Sequence, residues 1–444
     1  MSREIWLSMF LAGIAWLVES YDIGVISSAL PSLQKQFGLD AFGVGTLAIA
    51  STLGIVISVI PAGSLADRVG RKTMLVIGTI WYATFSLLCA FAPNPTIVVL
   101  LRFVAGFGMG AIFPIPYAMA AELMPHNFRG AMTGILDSFL SVGYFLAPLL
   151  AFVLVPSLPL NLGWRVLFLI GGIPLLYVPI VLKWMPESPR WLAVNGRLRE
   201  ADSVVSGIEQ AIERRAGAHL PEPVEAMPDG GGSTDGETNE KHSGWRDRYA
   251  QIVHGSFLTR SAMMWIAFSC ILFIFYAIQT YTPTVLIQKG YGSATAFLMT
   301  AIIVTASIPG KYLAGFMSER FGRKPTLFVF TAAAAAAAVV FGLLNDPLLS
   351  LLCGVVLAFF GIGVDPVVKI YGAEQYPTRI RETGVGLFEG VGRFFGGVMA
   401  PFIMAFILAS SHVWGAYVFV AVVAFVGIGA VALWGAETRG RTNE

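Results

Sequence analysis

Twelve stretches of mostly apolar residues, each close to twenty residues long or longer, constrain this chain more tightly than any other feature. They run from about 6 to 30, 41 to 66, 73 to 92, 96 to 120, 130 to 156, 163 to 185, 259 to 288, 293 to 317, 325 to 343, 347 to 372, 380 to 408 and 412 to 435. About twenty apolar residues in a helix cross the ~30 Å hydrocarbon core of a bilayer. A spanning segment must also satisfy its own backbone hydrogen bonds, which a helix does internally. The expected fold class is therefore an all-α membrane protein. Composition agrees: 56% of the 444 residues are hydrophobic and 13% are charged, against roughly 25% charged in soluble proteins. A soluble globular enzyme is excluded, and so is a disordered or fibrous chain, which lacks large apolar residues. The first stretch holds Glu19 and Asp22 and leads directly into the second without a small-residue cleavage site, so it is expected to stay in the mature protein.

The net charge of +2 offers no basic excess for a nucleic-acid partner, and none is expected. Cys89, Cys270 and Cys353 lie in apolar runs without zinc or disulfide spacing, so no metal and no cofactor are expected. The basic residues set the orientation, because Lys and Arg are retained in cytoplasmic loops. With both termini inside, 22 of the 29 are cytoplasmic, Lys35, Arg165 and Lys289 are external, and Arg102, Lys311, Lys369 and Arg393 lie within spans. A multi-pass protein of the cell (inner) membrane with both termini cytoplasmic is expected. The single long connection, 186–258, divides the chain into six-helix halves, 1–185 and 259–444. Within it Arg197 to Ala216 reads as an amphipathic helix, Glu222 to Gly244 as a flexible linker, and Trp245 to His254 as a second short helix. It is read as a hinge without chemistry.

One internal offset organises the rest. Gly63, Asp67, Arg68, Gly70, Arg71 and Lys72 recur 252 residues later as Gly315, Glu319, Arg320, Gly322, Arg323 and Lys324. The same offset relates Pro114 to Pro366, Glu122 to Glu374, Arg129 to Arg381 and Asp137 to Glu389. The chain is thus two copies of one six-span unit, and repeat interfaces near the bilayer midplane are where secondary transporters bind substrate.

Gly63-Ser-Leu-Ala-Asp67-Arg-Val-Gly-Arg-Lys72, between the second and third spans, resembles the loop signature of the major facilitator superfamily. Pro186-Glu-Ser-Pro-Arg190 and Glu437-Thr-Arg-Gly440 resemble its sugar-porter and organic-ion branch, although Ala436 stands where that branch usually has proline. Glu19-Ser-Tyr-Asp22 in the first span and Phe275-Tyr-Ala-Ile-Gln-Thr-Tyr281-Thr-Pro283 in the seventh are closer to bacterial nicotinate and aromatic-acid carriers. The paired glutamines of sugar porters are absent from the seventh span. The resemblance implies twelve helices in two pseudo-symmetric bundles and proton-coupled transport by alternating access.

Nine ionisable residues fall within apolar spans: Glu19, Asp22, Asp137, Asp365, Glu389, Arg102, Lys311, Lys369 and Arg393. Each costs roughly 2.5–3.5 kcal/mol at a helix centre, which favours pairing in the bundle interior. Asp22 and Arg102 both sit about 10–12 Å below the external surface at 1.5 Å per residue, so they can meet. In proton-coupled sugar porters an aspartate after tyrosine pairs with an arginine opening a glycine-rich fourth span, and Tyr21-Asp22 and Arg102 match that arrangement. Asp22 is therefore the expected proton carrier, with Glu19 as the alternative one turn away. Glu122, Arg129, Glu374 and Arg381, with Asp67, Arg71, Glu319 and Arg323, are read as an inner latch, closed when the carrier faces outward.

Asp137, Asp365, Lys369, Glu389 and Arg393 lie nearer the midplane. Asp365 and Lys369 are i, i+4, as are Glu389 and Arg393, so each pair can neutralise itself. Alternatively, Lys369 or Arg393 holds a substrate carboxylate, for which the planar fork of arginine is suited. Tyr21, Phe113, Tyr117, Tyr144, Phe275, Tyr276, Gln279 and Tyr281 are candidate walls for a flat solute. Gly106-Phe-Gly-Met-Gly110 and Gly390-Val-Gly392 mimic nucleotide loops but lie in apolar spans, where close helix packing explains them better. The expected function is a monomeric symporter of protons and a small organic solute, an organic or aromatic acid, rather than an enzyme. A sugar porter and a non-transporting nutrient sensor are the alternatives.

Overall fold

The computed structural model describes residues 3–124, 126–216, 251–253, 257–376, 380–410 and 413–438. Among the described residues, twelve helices are long and apolar enough to cross a membrane: Ile5–Phe37, Ala41–Val59, Arg71–Cys89, Pro95–Ala120, Gly134–Leu154, Leu160–Trp184, Leu258–Gln288, Ser293–Phe321, Arg323–Leu343, Pro347–Glu374, Thr383–Ser410 and Val413–Trp434. They are called the first to twelfth spans below. The first runs well past its expected end at residue 30, through Pro31, to Phe37. Its extension is anchored by the sixth span, where Trp164 Nε1 donates to Gln36 Oε1 at 2.7 Å and the Trp164 ring packs on Phe37.

Glycine sets how closely the spans approach. A Cβ on Gly106 would lie 2.2 Å from the Ser51 carbonyl oxygen, and one on Gly54 would lie 2.3 Å from that of Phe103. The nucleotide-like glycines of the fourth span are therefore packing residues, Gly106 and Gly110 pressed against the second span and Gly108 against the third. Ala334, Ala335, Ala337 and Ala338 are buried in the ninth span, which packs on the tenth and twelfth. In the connection, Pro189–Val194 and Leu198–Ala216 are helical. The expected linker Glu222 to Gly244 and most of the expected helix at Trp245 to His254 lie outside the described residues.

The apolar core is partitioned unevenly. With twelve spans, both termini and the 186–258 connection share one face, called the terminal side. Near the opposite face, one buried cluster draws on both halves: Val25, Leu30 and Leu47 of the first pack with Ile278, Leu286 and Met404 of the second. On the terminal side one core gathers around Met74, Met109 and Val181 of the first half, taking in Val304 of the second, and another around Met264, Phe330 and Val368 of the second half. The halves are joined on one face and parted on the other.

Candidate functional site

Several spans are interrupted near mid-depth. The fourth consists of Pro95–Ile112 and Ile115–Leu123, broken at Phe113-Pro114. The tenth consists of Pro347–Gly361 and Asp365–Glu374, broken just before Pro366. Proline lacks an N–H and its ring crowds the preceding turn, so the repeat-related Pro114 and Pro366 break both halves at one depth. In the eleventh span Arg393–Met399 forms a π-helix that begins at Arg393, a widening often found at functional sites.

These interruptions surround the membrane charges. Asp22 and Arg102 form an ion pair with both side chains fully buried. Arg102 also donates to the Asp22 carbonyl at 3.0 Å and to Ser51 Oγ at 3.1 Å, and Ser86 Oγ donates to the same carboxylate. The sixth span is broken at Gly171, where a Cβ would come within 2.8 Å of Asp22 Oδ1. First, second, third, fourth and sixth spans thus close around one pair.

A second pair crosses between halves. Lys311 of the eighth span lies 2.6 Å from Asp137 of the fifth and donates to Ser141 Oγ at 3.0 Å. Ser138 and Tyr312 join their hydroxyls beside it at 2.7 Å. Sequence reasoning placed both charges in the membrane but did not pair them, because the repeat offset matches Asp137 with Glu389 and gives Lys311 no counterpart. The pair borders a cavity of about 610 Å³ that also meets Tyr117, Lys369 and Glu389.

Arg393 is buried beside this cavity. Its guanidinium lies 3.9 Å from the centre of the Phe113 ring, across the interface between halves. Its nearest carboxylate, Glu389, is 3.6 Å away, beyond hydrogen-bond reach, and its Nε has no partner. By contrast Lys369 makes a direct hydrogen-bonded ion pair with Asp365 at 2.7 Å. Aromatic rings pack nearby: Trp16 on Phe113 and on Tyr117, which lines the cavity, and Tyr144 on Phe275, which packs on Tyr276. A buried cation with unspent donors beside aromatic faces can hold a flat anion.

Not every candidate wall belongs to this group. Tyr21 donates to the Leu167 carbonyl and Tyr281 to that of Pro401, and both rings sit in the core shared by the halves on the far side. Their hydroxyls tie spans together. Gln279 is buried against the first span near Gly24, with its Oε1 unpartnered.

On the terminal side the latch charges pair within each half. Arg71 meets Asp67 at 2.6 Å and Glu122 at 3.5 Å, and Arg323 meets Glu319 at 2.9 Å and Glu374 at 3.2 Å. The side chains of Arg129 and Arg381 lie outside the described residues. Two further acids complete the arrangement. Glu187 accepts from the Lys72 backbone N–H, and Glu437 from those of Arg323 and Lys324. Each caps a helix that starts after a glycine with positive φ, Gly70 at 101° and Gly322 at 109°. The sequence signal was present in Pro186-Glu-Ser-Pro-Arg190 and Glu437-Thr-Arg-Gly440, but a cap formed by residues over a hundred positions away has no local signature.

The chain matches the model of the Major Facilitator Superfamily over residues 5–368 and 293–444. It is 31% identical over 437 residues to a niacin transporter of Acinetobacter baylyi, covering 98% of this chain and 95% of that one. It is 26% identical to a 4-hydroxybenzoate transporter of the same organism, covering 93% and 86%. In three dimensions it resembles the inward open conformation of the xylose transporter XylE from E. coli, with a TM-score of 0.77 at 19% identity over 99% of this chain and 98% of that one. These relatives are named as transporters, and this chain belongs to the major facilitator superfamily.

Proposed function

We propose that this chain is a proton-coupled symporter of an aryl carboxylate, working by alternating access. One observation carries the reading: Arg393, buried between the halves, lies on an aromatic ring of the other half with its donors unspent. The substrate carboxylate takes the fork of Arg393, and the ring lies among Phe113, Tyr144, Phe275 and Tyr276. Because these groups come from both halves, binding draws the halves together over the ligand. The names of the relatives that transport niacin and 4-hydroxybenzoate support this substrate class.

Coupling is assigned to Asp22. While ionised it holds Arg102, and that pair fastens the first span to the fourth. A proton on Asp22 releases Arg102 and lets the spans move, which links protonation to conformation. We place both termini in the cytoplasm, where most of the basic residues then fall. The parted face then opens inward, with the charge clusters of Arg71 and Arg323 free to form an inner latch in the outward-facing state. Both halves of the site come from one chain, which supports a monomer as the working unit.

The test is reconstitution of the full chain in liposomes with labelled nicotinate, benzoate and xylose under an imposed pH gradient. Gradient-driven uptake of the aryl carboxylates is expected, and uptake of xylose alone would make it a sugar porter. Binding without counterflow would make it a sensor. Arg393→Lys keeps the charge but loses the fork, and is expected to weaken carboxylate affinity about tenfold or more in protein that still folds. Asp22→Asn is expected to keep exchange across the membrane and lose accumulation. Retained accumulation there, with its loss in Glu19→Gln, would move the coupling role one helical turn.

A further inference from the structure

The nine ionisable residues within the apolar stretches are five acids and four bases, so one acid is left over when they pair. That acid is Glu19. Asp22, Asp137, Asp365 and Glu389 each face a base within the distances given above, whereas Glu19 is fully buried and neither of its carboxyl oxygens has a hydrogen-bond partner. An unsatisfied buried polar group costs about 1–3 kcal/mol and is uncommon in native proteins. The cost is borne beside the carboxylate site. Glu19 lies about 4.5 Å along the helix from Trp16, on the same face, and Trp16 packs on Phe113, the ring under Arg393. Glu19 and Arg393 are also within electrostatic reach of each other and of Tyr144. An unpartnered acid and an unspent guanidinium therefore approach one aromatic group from two spans.

Resting on the aryl-carboxylate reading above, we propose that Glu19 determines specificity by hydrogen bonding to a second polar atom on the ring of a substrate whose carboxylate Arg393 holds. As a neutral acid its O–H donates to a ring nitrogen, and a carboxyl oxygen accepts from a ring hydroxyl. An unsubstituted benzoate leaves the buried carboxyl unpaired. Sites built around a polar partner penalise the analogue that lacks it far more than apolar pockets penalise a missing methylene. The assignment gives Glu19 to selection and leaves coupling with Asp22 and Arg102.

The experiment measures dissociation constants of the purified full-length protein for nicotinate, 4-hydroxybenzoate and benzoate at one pH. The wild-type chain is expected to bind at least one of the first two about tenfold more tightly than benzoate. Glu19→Leu removes an unpartnered carboxyl without breaking a hydrogen bond, and should bring the ratio close to one with benzoate affinity retained. Glu19→Gln, which can donate and accept, should keep most of the preference. A ratio unchanged by Glu19→Leu overturns the proposal. The three pyridine carboxylate isomers supply a measurement on the unmutated chain, since a fixed group must discriminate among them, and equal affinity for all three also overturns it. Failure of every aryl carboxylate to bind the wild-type chain would instead reject the substrate class itself, and this assignment with it.

Discussion

The two halves descend from one unit yet handle charge differently. In the first, Asp22 and Arg102 meet across two helices, fully buried, with Ser51 and Ser86 adding hydrogen bonds. In the second, Asp365 and Lys369, and Glu389 and Arg393, sit one turn apart on single helices, and the Glu389–Arg393 contact is long and partly exposed. A pair that joins helices makes their relative position depend on its ionisation. A pair within one helix neutralises charge without fixing that helix to a neighbour, and leaves Arg393 free to turn toward a ligand. The first half is thus suited to coupling and the second to recognition.

The sharpest way to break this contrast is to remove one arginine from each half. Arg102→Leu leaves Asp22 ionised and buried without its partner, and is expected to cost about 3–5 kcal/mol of stability. Arg393→Leu leaves Glu389, whose side chain is 24% exposed, and should cost within about 1 kcal/mol while abolishing carboxylate binding. Denaturant unfolding in detergent, with ligand binding measured alongside, checks both. Equal losses of stability would erase the division between the halves.

Much of this was legible in the sequence, for identifiable reasons. The twelve spans follow from length and apolarity alone, and the Asp22–Arg102 pair from counting depth along two helices. The i, i+4 pairs needed only helical periodicity. Three features were out of reach. Pairing Asp137 with Lys311 requires knowing which helices of different halves face each other, and the internal repeat gives no help because the pair breaks its symmetry. The carboxylates of Glu187 and Glu437 act on helices distant in sequence. Tyr21 and Tyr281 carry the same ring as Tyr144, and only the position of the neighbouring spans shows that their hydroxyls are committed to Leu167 and Pro401.

The Asp137–Lys311 pair offers a subtler probe, because it is the membrane-embedded ion pair that crosses the halves among the described residues. It bridges the halves in the state that is parted on the terminal side, so its loss is expected to reduce that state relative to the closed one. Asp137→Asn should shift the population by about fivefold to thirtyfold, the equivalent of ~1–2 kcal/mol. Spin labels at the exposed positions Arg68 and Arg320, in the last turns of corresponding helices, should report a larger short-distance fraction. The exchanged pair, Asp137→Lys with Lys311→Asp, should restore the wild-type distribution. An unaltered distribution in Asp137→Asn would make the pair a neutralising contact like those within the second half.

The smallest expected effect lies on the far face, where the halves do the same job with different chemistry. Arg165 donates to the carbonyls of Ala90 and Ala92 at the end of the third span. Lys289 donates to those of Phe341 and Leu344 at the end of the ninth, with its ammonium over the Phe341 ring. Both cations serve helix C-termini, whose free carbonyls carry partial negative charge. A guanidinium stays charged at any accessible pH, whereas burial lowers the Lys289 ammonium from its ordinary 10.5 to about 8. Between those values the unfolded chain keeps a proton that the folded chain has released, so stability should rise with pH across that window and stay flat with respect to this group below it. Lys289 is only partly buried, so solvent screening should hold the gain below about 1 kcal/mol. Unfolding curves from pH 7 to 10.5 should show the rise in the wild-type chain and its loss in Lys289→Arg. Parallel curves for the two would mean that Lys289 keeps its proton throughout, and that the two halves are capped alike.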